Sequence, residues 1–215
     1  MPLCNRVDPF GTLHATRARG LFTGNRGIIH DPETRTLLRR RWTTRAWIIC
    51  DLHWKGRRRE VWGRNGPAGG AGWTELFFLD EVTALAAGHR PCFACRRNAA
   101  KAFVADCRSG IGEPQLRLPE LDRRLHGERL ASGGRGPVLK PDDVTLLPDG
   151  AIVAIGSRPF ALRGGLLLPW SQKGYLHRVE VSAMGPSDIR LLTPVSTLAA
   201  LRSGYQPVWH ETARA

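Results

Sequence analysis

Cys92-Phe93-Ala94-Cys95 is the stretch of this chain whose residue types and spacing speak most directly of chemistry. Two thiolates separated by two residues can hold one tetrahedral divalent ion, because the intervening turn aims both sulfurs inward. Arg90, Arg96 and Arg97 surround the pair and would offset the negative charge of a multi-thiolate zinc site. A helix expected to start near Asn98 turns its positive end toward Cys95, which favours the ionised sulfur. The same spacing also suits two reduced structural thiols or a redox dithiol, although no strand feeds the pair directly as in a thioredoxin-like unit. The chain has five cysteines, an odd number in 215 residues, so buried thiols or metal ligands in a reducing compartment are expected rather than a disulfide scaffold. Cys107 stands four positions after Phe103 on one side of the expected helix and reads as core.

The elements that must position these groups can be read on either side. Residues 75–79 form a short apolar strand, Asp80 is a good N-cap, and Glu81 suits the positive end of the helix that follows. Val82, Leu85 and Ala86 share a face of that helix, and Gly88 falls where a left-handed residue closes it. After the cysteine pair, Asn98 can cap a second helix, and residues 118–130, opened by Pro119, predict a third. Upstream, residues 47–54 are rich in β-branched and aromatic side chains and predict a strand. Lys55-Gly56 then turns the chain, so that residues 57–62 return as the second strand of a hairpin. Residues 63–72 lack the Gly-Lys-Ser/Thr ending of a phosphate-cradling loop and read as a connection.

With these residues in view, Leu76-Phe77-Phe78-Leu79-Asp80-Glu81-Val82-Thr83-Ala84-Leu85-Ala86-Ala87-Gly88-His89-Arg90-Pro91-Cys92-Phe93-Ala94-Cys95-Arg96 resembles the Ada-type metal-binding domain. In that family a strand ending in aromatics runs into a short Ala-rich helix, then Gly, Arg-Pro-Cys-x-x-Cys and a basic residue. The resemblance spans roughly residues 75–97, about a tenth of the chain. It implies a four-ligand zinc module of the kind found in DNA methylphosphotriester repair proteins, where a ligand cysteine accepts the methyl group, and attached to some nucleases. It makes Cys92 and Cys95 zinc ligands. The family's first ligand pair lies shortly upstream of the strand, where Cys50 and, three residues on, His53 are the residues in range, 42 positions before Cys92 in the case of Cys50. Cys50 and His53 face opposite ways on a regular strand and need a bulge to converge. His89 or Cys4 could otherwise complete the shell.

The charge balance points to polyanionic partners. With 32 Lys+Arg against 19 Asp+Glu the formal net charge is +13, and 28 of the basic residues are arginine. Residues 1–66 alone carry net +9. There Arg39, Arg40, Arg41, Arg57, Arg58 and Arg59 are interleaved with Trp42, Trp47, Trp54 and Trp62; with Arg96 and Arg97 they are the candidate nucleic-acid contacts. A solvated sheet edge protected by charge is the competing reading. His30, beside Asp31, is the candidate for acid–base work. No paired carboxylates, nucleophile elbow or dinucleotide fingerprint occurs.

Beyond a Gly-rich break at residues 132–137 come short apolar runs at 151–155, 160–162, 166–168, 175–181 and 189–192, then a helix begun by Thr193-Pro194 and stopped at Gly204. The expected architecture is α+β: a basic, zinc-stabilised, Ada-like module over residues 1–135, followed by a small β-rich domain with a C-terminal helix over 136–215. No segment approaches the roughly 20 apolar residues of a membrane helix, and residues 1–12 lack a signal-peptide core, so a cytoplasmic protein with no membrane partner is expected. The expected function is zinc-supported contact with DNA or RNA, in repair or processing. The alternatives are a nuclease or methyl-accepting repair enzyme, and a structural zinc module that binds another protein.

Overall fold

A computed structural model describes residues 1–56, 59–131, 136–183 and 188–214. From the N-terminus, β1 (Cys4–Val7), β2 (Leu13–Ala15) and β3 (Phe22–Asn25) precede a two-stranded hairpin of β4 (His30–Asp31) and β5 (Thr36–Leu37). Then follow β6 (Ile48–Asp51), β7 (Leu76–Phe78), the helix α1 (Glu81–Ala86) and β8 (Arg90–Pro91). These strands, the hairpin apart, form one six-stranded sheet in the order β2-β1-β7-β3-β6-β8. β3 is buried at every position, and its Gly24 pairs with Ile49 of β6 and Leu76 of β7. A Cβ on Gly24 would lie 2.1 Å from the Ile48 carbonyl oxygen, so only glycine lets β6 come this close.

α1 begins as its sequence requires. The Asp80 carboxylate accepts hydrogen bonds from the Thr83 backbone N–H at 2.8 Å and the Thr83 hydroxyl at 2.7 Å, and Gly88, at φ 79°, takes the left-handed turn beyond the helix end. α2 (Arg97–Ile111) buries Ala100, Phe103, Val104 and Cys107. Its N-cap position is Arg96, so Asn98, the expected cap, lies in the first turn. The cysteine turn starts the helical path early, since the Arg96 N–H already donates to the Cys92 carbonyl at 3.0 Å. α3 (Leu118–Ala131) follows the predicted span.

The second half holds β9 (Val138–Leu139), α4 (Pro141–Thr145), β10 (Ile152–Ile155), β11 (Arg158–Arg163), β12 (Leu166–Ser171), β13 (Gly174–Tyr175), β14 (Ile189–Leu191) and α5 (Val195–Arg202). Its sheet runs β13-β12-β11-β10-β14-β9, with every pairing antiparallel. The expected strand over 175–181 stops at Tyr175, and Val179 adds an isolated bridge to Leu167. α5 packs along α2, where Phe103 meets Tyr205 edge to face at 5.2 Å and the Cys107 thiol donates to the Ser196 carbonyl at 3.5 Å. One apolar cluster includes Val7, Ile49, Phe103 and Leu121 together with Val153, Leu162 and Leu201, so residues on both sides of position 135 share a core.

One expected element takes another form. Arg57 and Arg58 lie outside the described residues, and residues 59–62 are not a returning strand. Trp62 sits in a turn at φ 61° and is 1% exposed. Its backbone N–H donates to the Glu75 carboxylate and its indole N–H to the Glu75 carbonyl, both at 3.0 Å. Burial of an indole with both donors satisfied outweighs the ladder bonds a hairpin would offer.

Candidate metal centre

The ligand atoms of Cys50, Cys92 and Cys95 all lie within 4.8 Å of one another, and they are the one such group of three or more His, Cys, Asp or Glu residues among the described residues. A parallel strand pair closes the long gap in sequence. β6 runs alongside β8 with Ile49 opposite Pro91, and the Cys92 N–H donates to the Ile49 carbonyl at 2.9 Å, which sets Cys50 beside Cys92. Cys95 is brought round by the turn into α2. Within that turn the Ala94 N–H points at the Cys92 sulfur at 3.4 Å.

The three sulfurs compete for protons. Contacts with Cys50 and Cys95, joined by the backbone N–H groups of Cys95 and Ala94, hold the Cys92 thiol well below its ordinary pKa. Contacts with Cys92 and Cys95, then burial, push Cys50 up. For Cys95 the contact with Cys50 acts downward, but Cys92 and burial outweigh it and its pKa is raised, against a further downward pull from the Asp51 N–H. Three thiolates this close cannot all be negative unless a cation lies among them. Tetrahedral zinc thiolate places sulfurs about 3.8 Å apart, from Zn–S bonds of about 2.3 Å, so the donor set and its spacing fit such an ion. Cys92 is buried, while Cys50 and Cys95 are partly exposed, and Cys95 borders an open cleft of about 330 Å³ with Asp51, Arg97 and Asn98 on its walls.

The other expected ligands lie elsewhere. His53 is exposed beyond the end of β6 and is not part of the sulfur group; the chain has left the sheet by then, so no bulge turns it back. His89 is fully buried between Trp47 at 5.1 Å and Phe78 at 4.7 Å, and its Nε2 accepts from Arg26 Nε at 3.2 Å. Burial, with Arg26 and Arg129 nearby, keeps its pKa well below the usual histidine value. Cys4 donates its thiol to the Leu13 carbonyl at 3.3 Å, across the β1–β2 pair. His30 is 2% exposed, with Nδ1 at 2.7 Å from the Thr74 hydroxyl and its ring stacked on Trp62 at 5.6 Å. Burial lowers its pKa, and the partly exposed Asp31 accepts from the Glu33 and Thr34 N–H groups in its own turn, so among the described residues no hydrogen bond joins the two and the imidazole itself is buried.

The expected phosphate contacts divide into two sets. Arg59 is engaged with Glu75 at 2.8 Å, and Arg96 grips Glu81 through two hydrogen bonds at 2.8 and 2.9 Å, both carboxylates being buried. Arg41 folds its guanidinium onto the Leu38 and Arg39 carbonyls. Arg39, Arg40 and Arg97 are exposed, and among the described residues they form no ion pair. Asp51 escaped sequence reasoning, yet it supplies a backbone N–H to Cys95 and a carboxylate 3.5 Å from Arg96 Nε; its position directly after Cys50 was the available signal. Among the described residues no helix is long and apolar enough to cross a membrane. Comparison with protein-family models, with curated proteins and with solved structures finds no match to this chain.

Proposed function

We propose that this chain is an Ada-like zinc-thiolate protein that contacts nucleic acid, with Cys50, Cys92 and Cys95 as the zinc ligands. The convergence of these three sulfurs from two strands and a helix entry carries the reading. Zinc suits three soft anionic donors, and it would add cross-linking energy where β6, the end of β8 and the turn into α2 meet. Three protein ligands leave one tetrahedral corner for an atom from solvent or substrate. Support for the nucleic-acid part comes from the net charge of +13 and from the exposed Arg39, Arg40 and Arg97, which form no ion pair among the described residues, the last on the wall of the cleft beside Cys95.

Elemental analysis of the purified protein is expected to find about one zinc per chain, reduced to a small residue in Cys92→Ser. Full retention of metal in that variant would remove the site. Titration with DNA is expected to show affinity falling steeply and log-linearly with salt; a flat response would remove the nucleic-acid reading while leaving the metal reading in place.

A further inference from the structure

A second concavity lies away from the cysteines, where the loop between β2 and β3 passes the end of β7 and the cleft reaches β1 and β7. It encloses about 560 Å³, and its walls include Arg6, Arg17, Arg19, Leu52, Val61 and Phe77. Among the described residues, its lining holds three arginines and no carboxylate. Arg17 and Arg19 are exposed, two positions apart, and neither forms an ion pair among the described residues. Three inward-facing arginines elsewhere have a carboxylate partner: Arg90 has Asp122, Arg96 has Glu81 and Arg59 has Glu75. Here Arg19 acts on Arg6 as a like charge, and no carboxylate among the described residues lines the cleft.

The loop that carries these charges is held in place. Arg6 Nε donates to the Ala18 carbonyl at 2.6 Å, midway between Arg17 and Arg19, while its guanidinium lies 4.6 Å over the Phe77 ring. Just beyond, the Leu21 N–H donates to the Leu79 carbonyl at 2.9 Å, and any Cβ on Gly20 would lie 1.8 Å from the Phe78 carbonyl oxygen. The loop is therefore pressed on the end of β7 at two points, so the backbone that carries Arg17 and Arg19 is fixed and their side chains are what binding must still order. Burial and the neighbouring charge of Arg19 lower the Arg6 pKa, a conflict that a bound anion would relieve.

We infer that this cleft binds a nucleotide, with its phosphate gripped by Arg17 and Arg19 and its base laid against Leu52, Val61 and the Arg6–Phe77 stack. The inference rests on the nucleic-acid reading above and gives it a place. Guanidinium forks match phosphate oxygens two at a time, and the apolar wall with a guanidinium-covered ring suits a flat heterocycle that a carboxylate peptide does not bring. The volume exceeds what a bare phosphate would fill. A free nucleotide and one residue of a single strand present the same chemistry.

The test uses the full zinc-loaded chain, a short fluorescent oligothymidylate followed by anisotropy, and adenosine monophosphate as an unlabelled competitor. Arg17→Gln/Arg19→Gln, at exposed positions, is expected to melt as the parent does, to weaken binding by about tenfold or more, and to flatten the salt slope by about 0.7, the share of the one single-strand phosphate the two side chains hold. Displacement of the strand by the mononucleotide identifies the free nucleotide as a ligand; its failure, with the variant still defective, identifies the strand. Oligothymidylate binding unchanged in that variant but lost in Arg39→Gln/Arg40→Gln overturns this site and leaves the nucleic-acid reading standing. Displacement by polyglutamate as effective as by nucleotide overturns the selectivity for phosphate and base. Absence of any strand binding by the parent chain removes both.

Discussion

Glu81 is 1% exposed and its carboxylate gathers four donors: two from Arg96, the Tyr205 hydroxyl at 2.7 Å and the Val208 N–H at 3.0 Å. Arg96 follows Cys95 directly and stacks over Phe22 at 4.3 Å, so one ion pair ties the cysteine turn to the C-terminal tail. Glu81→Gln keeps the shape, removes the charge and leaves the buried Arg96 only the half-exposed Asp51 carboxylate at 3.5 Å, so the loss is expected near the lower end of the about 3–5 kcal/mol seen where a buried pair is broken from one side. Urea denaturation should show that loss while the folded fraction still takes up zinc as the proposed site would; a change under about 1 kcal/mol would mean that solvent already screens the pair. At this scale the sequence was legible where chemistry is local. Cys92 and Cys95 declare themselves by spacing, and Asp80 by its place before a helix. Arg96 read as a phosphate contact because its partner stands 15 positions earlier, across α1 and β8, where no local rule looks.

Elements were legible in proportion to their length. α1, α2 and α3 repeat their apolar residues over whole turns and carry end signals, so their spans could be read directly. β8 is two residues long and contains a proline, which hides it from any period-two pattern, yet its parallel pairing with β6 is what brings Cys50 to Cys92. The approach of β6 depends on β3, its other neighbour. Gly24→Ala would set a Cβ 2.1 Å from the Ile48 oxygen and 2.9 Å from the Phe78 ring, so the strands must part. The expected cost is about 1–3 kcal/mol, as for other overpacked positions, and the displaced strand carries Cys50 with it. Competition with a chromophoric chelator should therefore show weaker zinc binding in Gly24→Ala than in Gly70→Ala, a substitution that meets nothing within 4 Å and lies outside the left-handed region. Equal affinities in the two variants would show that the sulfur group does not depend on the β3–β6 register.

For the whole molecule, the Gly-rich break at residues 132–137 suggests two domains, because the patterning turns there from helical periods to short apolar runs. The apolar face of α2 could be read from sequence, but not what would cover it. In the fold α5 covers it, and the two halves are also joined by buried polar contacts: Asp80 accepts from the Tyr175 hydroxyl at 2.8 Å and the His210 N–H at 3.0 Å, and the Trp170 indole donates to Thr83 at 2.9 Å. A fragment of residues 1–135 keeps all five cysteines yet exposes Phe103 and Cys107 and strips Asp80 and Glu81 of their distant donors. Apolar exposure and unsatisfied buried carboxylates act in the same direction, so the fragment is expected to lack cooperative unfolding and to bind a hydrophobic dye, even when supplied with zinc. Adding residues 136–215 in trans should restore dispersed amide resonances, since the missing contacts are surface-complementary rather than covalent. A fragment that unfolds cooperatively alone with one bound zinc would show instead that the metal and the first sheet suffice, and that the shared core is a contact between two independent bodies.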